Sequence, residues 1–235
     1  MVNCFTTVHL ETLTSNLSLK AQQKLKAVLL THRHYDHVKD IPTIGMNFYL
    51  LGKSLDIYTL RTVYEDLSAY LLDGTLYPDF TARPPEKPAL KFKILEPGRE
   101  ASVESYKVLP VTVNHAVPAI GFQITSSGGK KLFYTSDTGP GLAECWRQVS
   151  PDLLIIEVTT IQKYQEFAVQ AGHLTPSLLK AELEGFRALK GYLPRIVTVH
   201  ANPLDEKALE TELAGVAGAL KANIQLGREG MIIIL

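Results

Sequence analysis

The sequence predicts a layered αβ domain, and three observations carry that expectation. Short β-branched or aliphatic runs alternate with amphipathic stretches along the chain. Hydrophobic residues make up 46% of the 235 positions, enough to bury a sizeable core and too many for a disordered chain. No internal repeat, low-complexity tract or linker breaks the pattern, so one domain over residues 1–235 is expected.

In chain order, strands are expected at 26–30, 55–58, 91–95, 106–113, 120–125, 131–134, 153–158, 195–199 and 231–235, each a short aliphatic or β-branched run. Ser126-Ser127-Gly128-Gly129 reads as a hairpin turn, because glycine supplies the positive φ such turns need. Helices are expected at 61–72, 141–148, 176–189 and 203–220. Thr175-Pro176 and Asn202-Pro203 read as a cap followed by proline at the first helical position. Each cap lies two residues after a histidine, His173 and His200, which places both histidines in tight connections ahead of helices. Residues 73–97 are rich in Pro and Asp and include Tyr77 and Phe80, so a long loop or lid is expected there.

Composition excludes several functions. Lys plus Arg is 24 and Asp plus Glu is 24, a balance that argues against a general nucleic-acid binder. Cys4 and Cys145 are too few for a disulfide framework or a thiolate zinc site. The longest apolar runs are too short to span a membrane, and no charged-then-apolar leader is visible, so a cytoplasmic setting is expected. The 7 histidines remain to be explained.

Thr31-His32-Arg33-His34-Tyr35-Asp36-His37 directly follows the strand that ends at Leu30. In an extended stretch His32 and His34 point to one side, and as the chain turns into a helix Asp36 and His37 address a second point nearby. Imidazole and carboxylate donors suit zinc, and also manganese or iron. The rival reading, a merely His-rich surface loop, fits poorly with the apolar strand that precedes it.

His-x-His-x-Asp-His after a strand resembles the signature of the metallo-β-lactamase superfamily. The later landmarks stand in order: His115 after a strand, Asp137 within Tyr134-Thr135-Ser136-Asp137-Thr138-Gly139, and His200 after Arg195-Ile196-Val197-Thr198-Val199. The resemblance implies an α+β fold, an αββα four-layer sandwich with a two-metal site on one edge. It implies that His32, His34 and His115 hold one divalent ion and that Asp36, His37 and His200 hold the other. Asp137 would bridge the two ions, and zinc is the first expectation. Asp36 is counted with the catalytic group as well as with the ligands.

Glu157 closes the run Leu153-Leu154-Ile155-Ile156 and should emerge at a strand's C-terminal end, where it could orient the imidazole of His173 as a general acid. Alone, the pair reads first as a loop histidine beside a surface carboxylate. With the His/Asp set, Glu157, His173 and Thr175 resemble the acid relay of the superfamily's phosphodiesterase branch, which includes ribonuclease Z and the class II 3′,5′-cyclic-nucleotide phosphodiesterases. Too few residues separate His115 from Asp137, or Asp137 from Glu157, to hold the arm with which ribonuclease Z reaches tRNA. Together with the neutral charge, this disfavours tRNA. Leu76-Tyr77-Pro78-Asp79-Phe80 and Gly172-His173-Leu174-Thr175-Pro176 resemble segments of the bacterial cyclic-nucleotide phosphodiesterase-like group. Tyr77 and Phe80 either stack on a base or pack their loop down. Arg33 and Lys39 either meet phosphate oxygens or are solvated charges.

One departure stands out. The superfamily pattern begins with two or three strands and an Asp-x-Gly, whereas here Met1 to Leu30 offers one candidate strand at 3–10 and Glu11-Thr12 at the Asp-x-Gly position. Shortened N-terminal strands are therefore expected, with His9 structural. The function expected is a two-metal hydrolase of a small phosphodiester such as a 3′,5′-cyclic nucleotide. The alternatives are a lactonase or thioesterase-type metallo-hydrolase, or a non-catalytic metal-binding regulatory protein. A homodimer is the prior for assembly.

Overall fold

The computed structural model describes residues 17–235, so the candidate strand at 3–10 and His9 lie outside the described residues. The chain divides into two compact units, one ending at Glu96 and one formed by Pro97–Leu235.

The first unit is built on a three-stranded parallel sheet, ordered β1 (Ala27–Leu29), β2 (Leu55–Thr59), β3 (Leu90–Ile94). Its helices are α1 (Leu19–Gln22), α2 (Tyr35–Val38), α3 (Ile41–Leu50) and α4 (Arg61–Tyr70). Strand β2 alternates, with Leu55, Ile57 and Thr59 buried and Asp56 and Tyr58 less so. The buried set packs with Ile41, Ile44 and Phe48 of α3 and with Val63 and Leu67 of α4. Helix α3 is not among the expected elements, and it accommodates both Pro42 and Gly45. Pro42 lies in the first turn, where a missing N–H costs nothing. Gly45 makes room for an aromatic ring, since a Cβ there would sit 2.7 Å from Cδ2 of Phe80. Within 73–97, residues 90–94 form β3 and the remainder is irregular.

The second unit is a seven-stranded mixed sheet, in the order β10-β9-β8-β7-β6-β5-β4. Strands β4 (Ala101–Val103), β5 (Tyr106–Thr112), β6 (Ile120–Thr125) and β7 (Lys131–Tyr134) form an antiparallel meander. The expected hairpin joins β6 to β7, with Gly129 at φ +81°. Helix α5 (Ala143–Gln148) precedes β8 (Leu153–Glu157); α6 (Gln165–Ala171) and α7 (Pro176–Lys190) precede β9 (Arg195–Val199); α8 (Glu206–Leu220) precedes β10 (Ile224–Leu226). From β7 to β10 every pairing is parallel. Parallel strands covered by helices are buried on both faces, which is why the adjacent pairs Leu153-Leu154 of β8 and Ile196-Val197 of β9 are buried without alternation. Trp146 lies at the centre of this core, edge-on to Phe133 and Phe186.

Three local expectations are corrected. Residues 231–235 form no strand; the edge beside β9 is taken by β10, and Ile232 and Ile234 are exposed. Helix α8 begins at Glu206 rather than at 203, because the Asn202 side chain accepts from the Leu204 N–H at 3.1 Å and closes a turn first. Thr175 stands at the start of α7 as expected, but its hydroxyl makes no capping bond and contacts Gln162, Gln165 and Ser177 instead.

Candidate functional site

Each unit gathers its own set of candidate ligands. In the first unit Leu30 N–H bonds Tyr58, and the Thr59 hydroxyl donates to the Leu30 carbonyl at 2.9 Å, so the exit from β1 is pinned. The chain then passes through His32 and His34 into the single turn of α2, which carries Asp36 and His37. The ring of His32 lies 4.8 Å from that of His34 and 4.1 Å from that of His37, centre to centre. His37 Nε2 is 3.3 Å from Asp36 Oδ2. His32 is fully buried and its Nδ1 lies 3.0 Å from the Thr31 hydroxyl. Arg33 pairs with Asp66 at 2.5 Å.

In the second unit the sheet topology does the gathering. β5, β7, β8 and β9 run the same way, so their C-terminal ends share one edge, the usual place for a site in such a sheet. Beyond those ends stand His115, Asp137, Glu157 and His200, and His173 joins them from the connection before α7. His173 stacks on His200 at 5.2 Å and meets His115 edge-on at 5.1 Å. His200 Nε2 is 3.2 Å from Asp137 Oδ2. Ser136 and His200 both have φ +65°, a conformation held by non-glycine residues only where the surroundings over-determine it, and common at functional sites.

These donors fit divalent metal. Ligands at about 2.0–2.2 Å from one ion in tetrahedral array lie about 3.3 Å apart, close to both His–Asp contacts above. In the second unit the Nδ1 atoms of His115 and His200 are engaged elsewhere. His115 Nδ1–H donates to the Gly172 carbonyl at 2.9 Å, and His200 Nδ1–H donates to the Thr159 hydroxyl at 2.8 Å. Such bonds fix the tautomer and leave Nε2 to act as ligand. Gly172 serves this arrangement through its size and its φ of +75°, since a Cβ there would lie 2.8 Å from the Ala116 nitrogen.

Glu157 is fully buried and fully bonded. Its Oε1 accepts from His173 Nδ1–H at 2.8 Å and from Thr138 N–H at 3.1 Å; its Oε2 accepts from the Thr159 hydroxyl at 2.9 Å and from Leu174 N–H at 3.3 Å. Burial pushes its carboxyl above the ordinary carboxylate range, while the hydrogen bond and charge of His173, and the charge of His200, pull it back. Thr159 is the residue that sequence reasoning missed. It lies two positions beyond Glu157, and its hydroxyl ties Glu157 to His200, a role for which a lone threonine gives no local signal.

The substrate-side candidates fall in different environments. Phe80 is 1% exposed and packs in the first unit's core, whereas Tyr77 is 36% exposed and leans edge-on against it. Thr175 is buried, in contact with Gln162 and Gln165. Among the described residues no helix is long and apolar enough to cross a membrane.

The family profile described as β-lactamase superfamily domain matches residues 1–200. Unliganded yeast PDE1 superposes with a TM-score of 0.80 at 18% identity, over 90% of this chain and 69% of that one. The metallo-β-lactamase fold protein YhfI from Bacillus subtilis gives 0.73 at 18% identity, over 94% and 82%. Human tRNase Z, short form, gives 0.61 at 18% identity, over 95% and 83%. No curated protein matches the sequence.

Proposed function

The chain belongs to the β-lactamase superfamily, as a metal-dependent hydrolase of metallo-β-lactamase fold, and on that premise we propose that it is a two-metal phosphodiesterase of small phosphodiesters such as 3′,5′-cyclic nucleotides. The superfamily's ligand pattern assigns His32, His34 and His115 to one divalent ion, Asp36, His37 and His200 to the other, and Asp137 to both. Zinc is the first candidate, with manganese or iron compatible with the same donors. When bound, such a pair supplies a water of lowered pKa and neutralises charge on the phosphoryl oxygens.

The observation that carries the reading is the His173–Glu157 pair, with His173 stacked on His200. Hydrolysis of a phosphodiester expels an alkoxide, which needs a proton at the moment the bond breaks. His173 supplies it, and Glu157 and Thr159 hold the imidazole in the orientation that transfer requires. Tyr77, exposed on its loop, stacks on the base, Phe80 supports Tyr77 from the core, and Thr175, two residues after His173, lies in a polar cluster with Gln162 and Gln165. Two features favour small substrates over tRNA. The net charge is zero, and the segment between His115 and Asp137 is a tight hairpin while that between Asp137 and Glu157 holds only α5.

The test is turnover of 3′,5′-cyclic nucleotides and of bis-p-nitrophenyl phosphate by metal-loaded protein. His173→Ala should lower turnover of the cyclic nucleotide by about 10²–10⁴-fold, and that of the nitrophenyl ester, whose leaving group needs little protonation, by far less. Equal loss on both substrates would remove His173 from the acid role. Hydrolysis of lactones or S-lactoylglutathione without phosphodiester turnover would overturn the substrate class.

A further inference from the structure

We propose that Glu182, on α7 and outside the ligand set, is a positioning residue for Asp137; the proposal rests on the metal-centre reading above. Asp137 sits on the connection from β7 to α5, residues 135–142, and must present its carboxylate from an irregular backbone. Its predecessor Ser136 is held at φ +65°, so the stretch keeps its shape only through its anchors.

The near end has several anchors. Thr135 N–H bonds Ile155, Thr138 N–H bonds Glu157, and Gly139 N–H bonds the Asn114 carbonyl. The Asn114 side-chain amide then donates to the Pro140 carbonyl at 2.5 Å. The far end has Glu182. Its Oε1 accepts from Gly141 N–H at 2.6 Å, and its Oε2 accepts from Leu142 N–H at 3.2 Å and from the Trp146 indole N–H at 3.0 Å.

No residue within the connection can replace those bonds. Leu142 stands at the cap position of α5 and has no side-chain acceptor. Gly141, at φ +101°, has the widest backbone freedom in the stretch, and it is the residue Glu182 grips most closely. Glu182 itself is rigidly mounted, one residue before the buried Leu183 in a 15-residue helix whose Leu179 and Phe186 are also buried. Its carboxylate is therefore a fixed bracket that closes the open end of the Asp137 loop.

The experiment uses the full chain, stripped of metal, titrated calorimetrically with Mn²⁺, alongside thermal unfolding of the metal-free protein. Glu182→Ala should bind Mn²⁺ about 10-fold more weakly, the low end of what losing a partner bonded directly to a ligand costs, with Glu182→Gln in between because one acceptor oxygen survives. Val216→Ala, a core change on α8 away from the Trp146 ring, should lower Tm and leave the affinity unchanged. Unchanged affinity in Glu182→Ala, or equal loss in Val216→Ala, overturns the proposal and leaves the metal centre standing. If Glu182→Ala fails to fold, the near-isosteric Glu182→Gln decides, and failure of both to fold also overturns it. No Mn²⁺ binding by the wild-type chain would instead remove the metal-centre reading, and this proposal with it.

Discussion

The two units supply candidate ligands in opposite ways. In the first, His32, His34, Asp36 and His37 are neighbours in sequence, and one strand exit with one helical turn suffices to cluster them. In the second, His115, Asp137 and His200 are far apart along the chain, and only the common direction of β5, β7 and β9 brings them to one edge. A local cluster survives almost any fold that exposes its loop. A topological cluster needs the whole sheet, which is why its supports (Thr159, Gly172, Glu182) are spread over two connections and a helix.

The strongest challenge to this pairing is removal of one ligand from each unit. His34→Ala and Asp137→Ala should each lower phosphodiester turnover on the order of 10³-fold, and each should reduce bound metal measured by elemental analysis. If only one variant loses activity, the two sets do not serve one centre. Next in size, Phe80→Ala should destabilise the protein to urea by about 3–5 kcal/mol, the cost of emptying a buried aromatic site. A raised KM at unchanged stability would instead make Phe80 a substrate contact. The smallest effect concerns Cys145, whose thiol is pushed up to about 12 by burial, with the Glu182 charge acting the same way. Its folded pKa lies above the ordinary value of 9.0, so the stability it adds is fully present below pH 9 and drains away as pH rises toward 12. Cys145→Ala should flatten that part of the stability curve relative to wild type. In a Cys4→Ser background the remaining thiol should react with a disulfide reagent at pH 8 only after unfolding.

The contrast also explains what could be foreseen. The His-rich loop was legible because its whole pattern lies within a few residues of a strong strand. The ends of β8 and β9 were legible because Glu157 and His200 each follow an aliphatic run, and that of β7 because Asp137 closely follows Leu132-Phe133-Tyr134. Thr159 and Glu182 were not, since each acts through a partner distant in sequence and neither carries a distinctive pattern. Helix α3 carries Pro42 and Gly45, whose disruptive propensities are neutralised by position and by the Phe80 ring. The run at 231–235 misled in the other direction, since β-branched residues form a strand only where a sheet edge is open to receive them, and β10 already pairs there with β9.

The bond from the Trp146 indole to Glu182 has an optical consequence. The chain has 1 tryptophan, so emission excited selectively at the indole comes from a single address. That indole shares its acceptor with the two amides behind Asp137, and any rearrangement of the loop changes the field around the emitting ring. The protein thus carries its own unlabelled probe, placed where occupancy of Asp137 would be felt and surrounded by a core that keeps the baseline quiet.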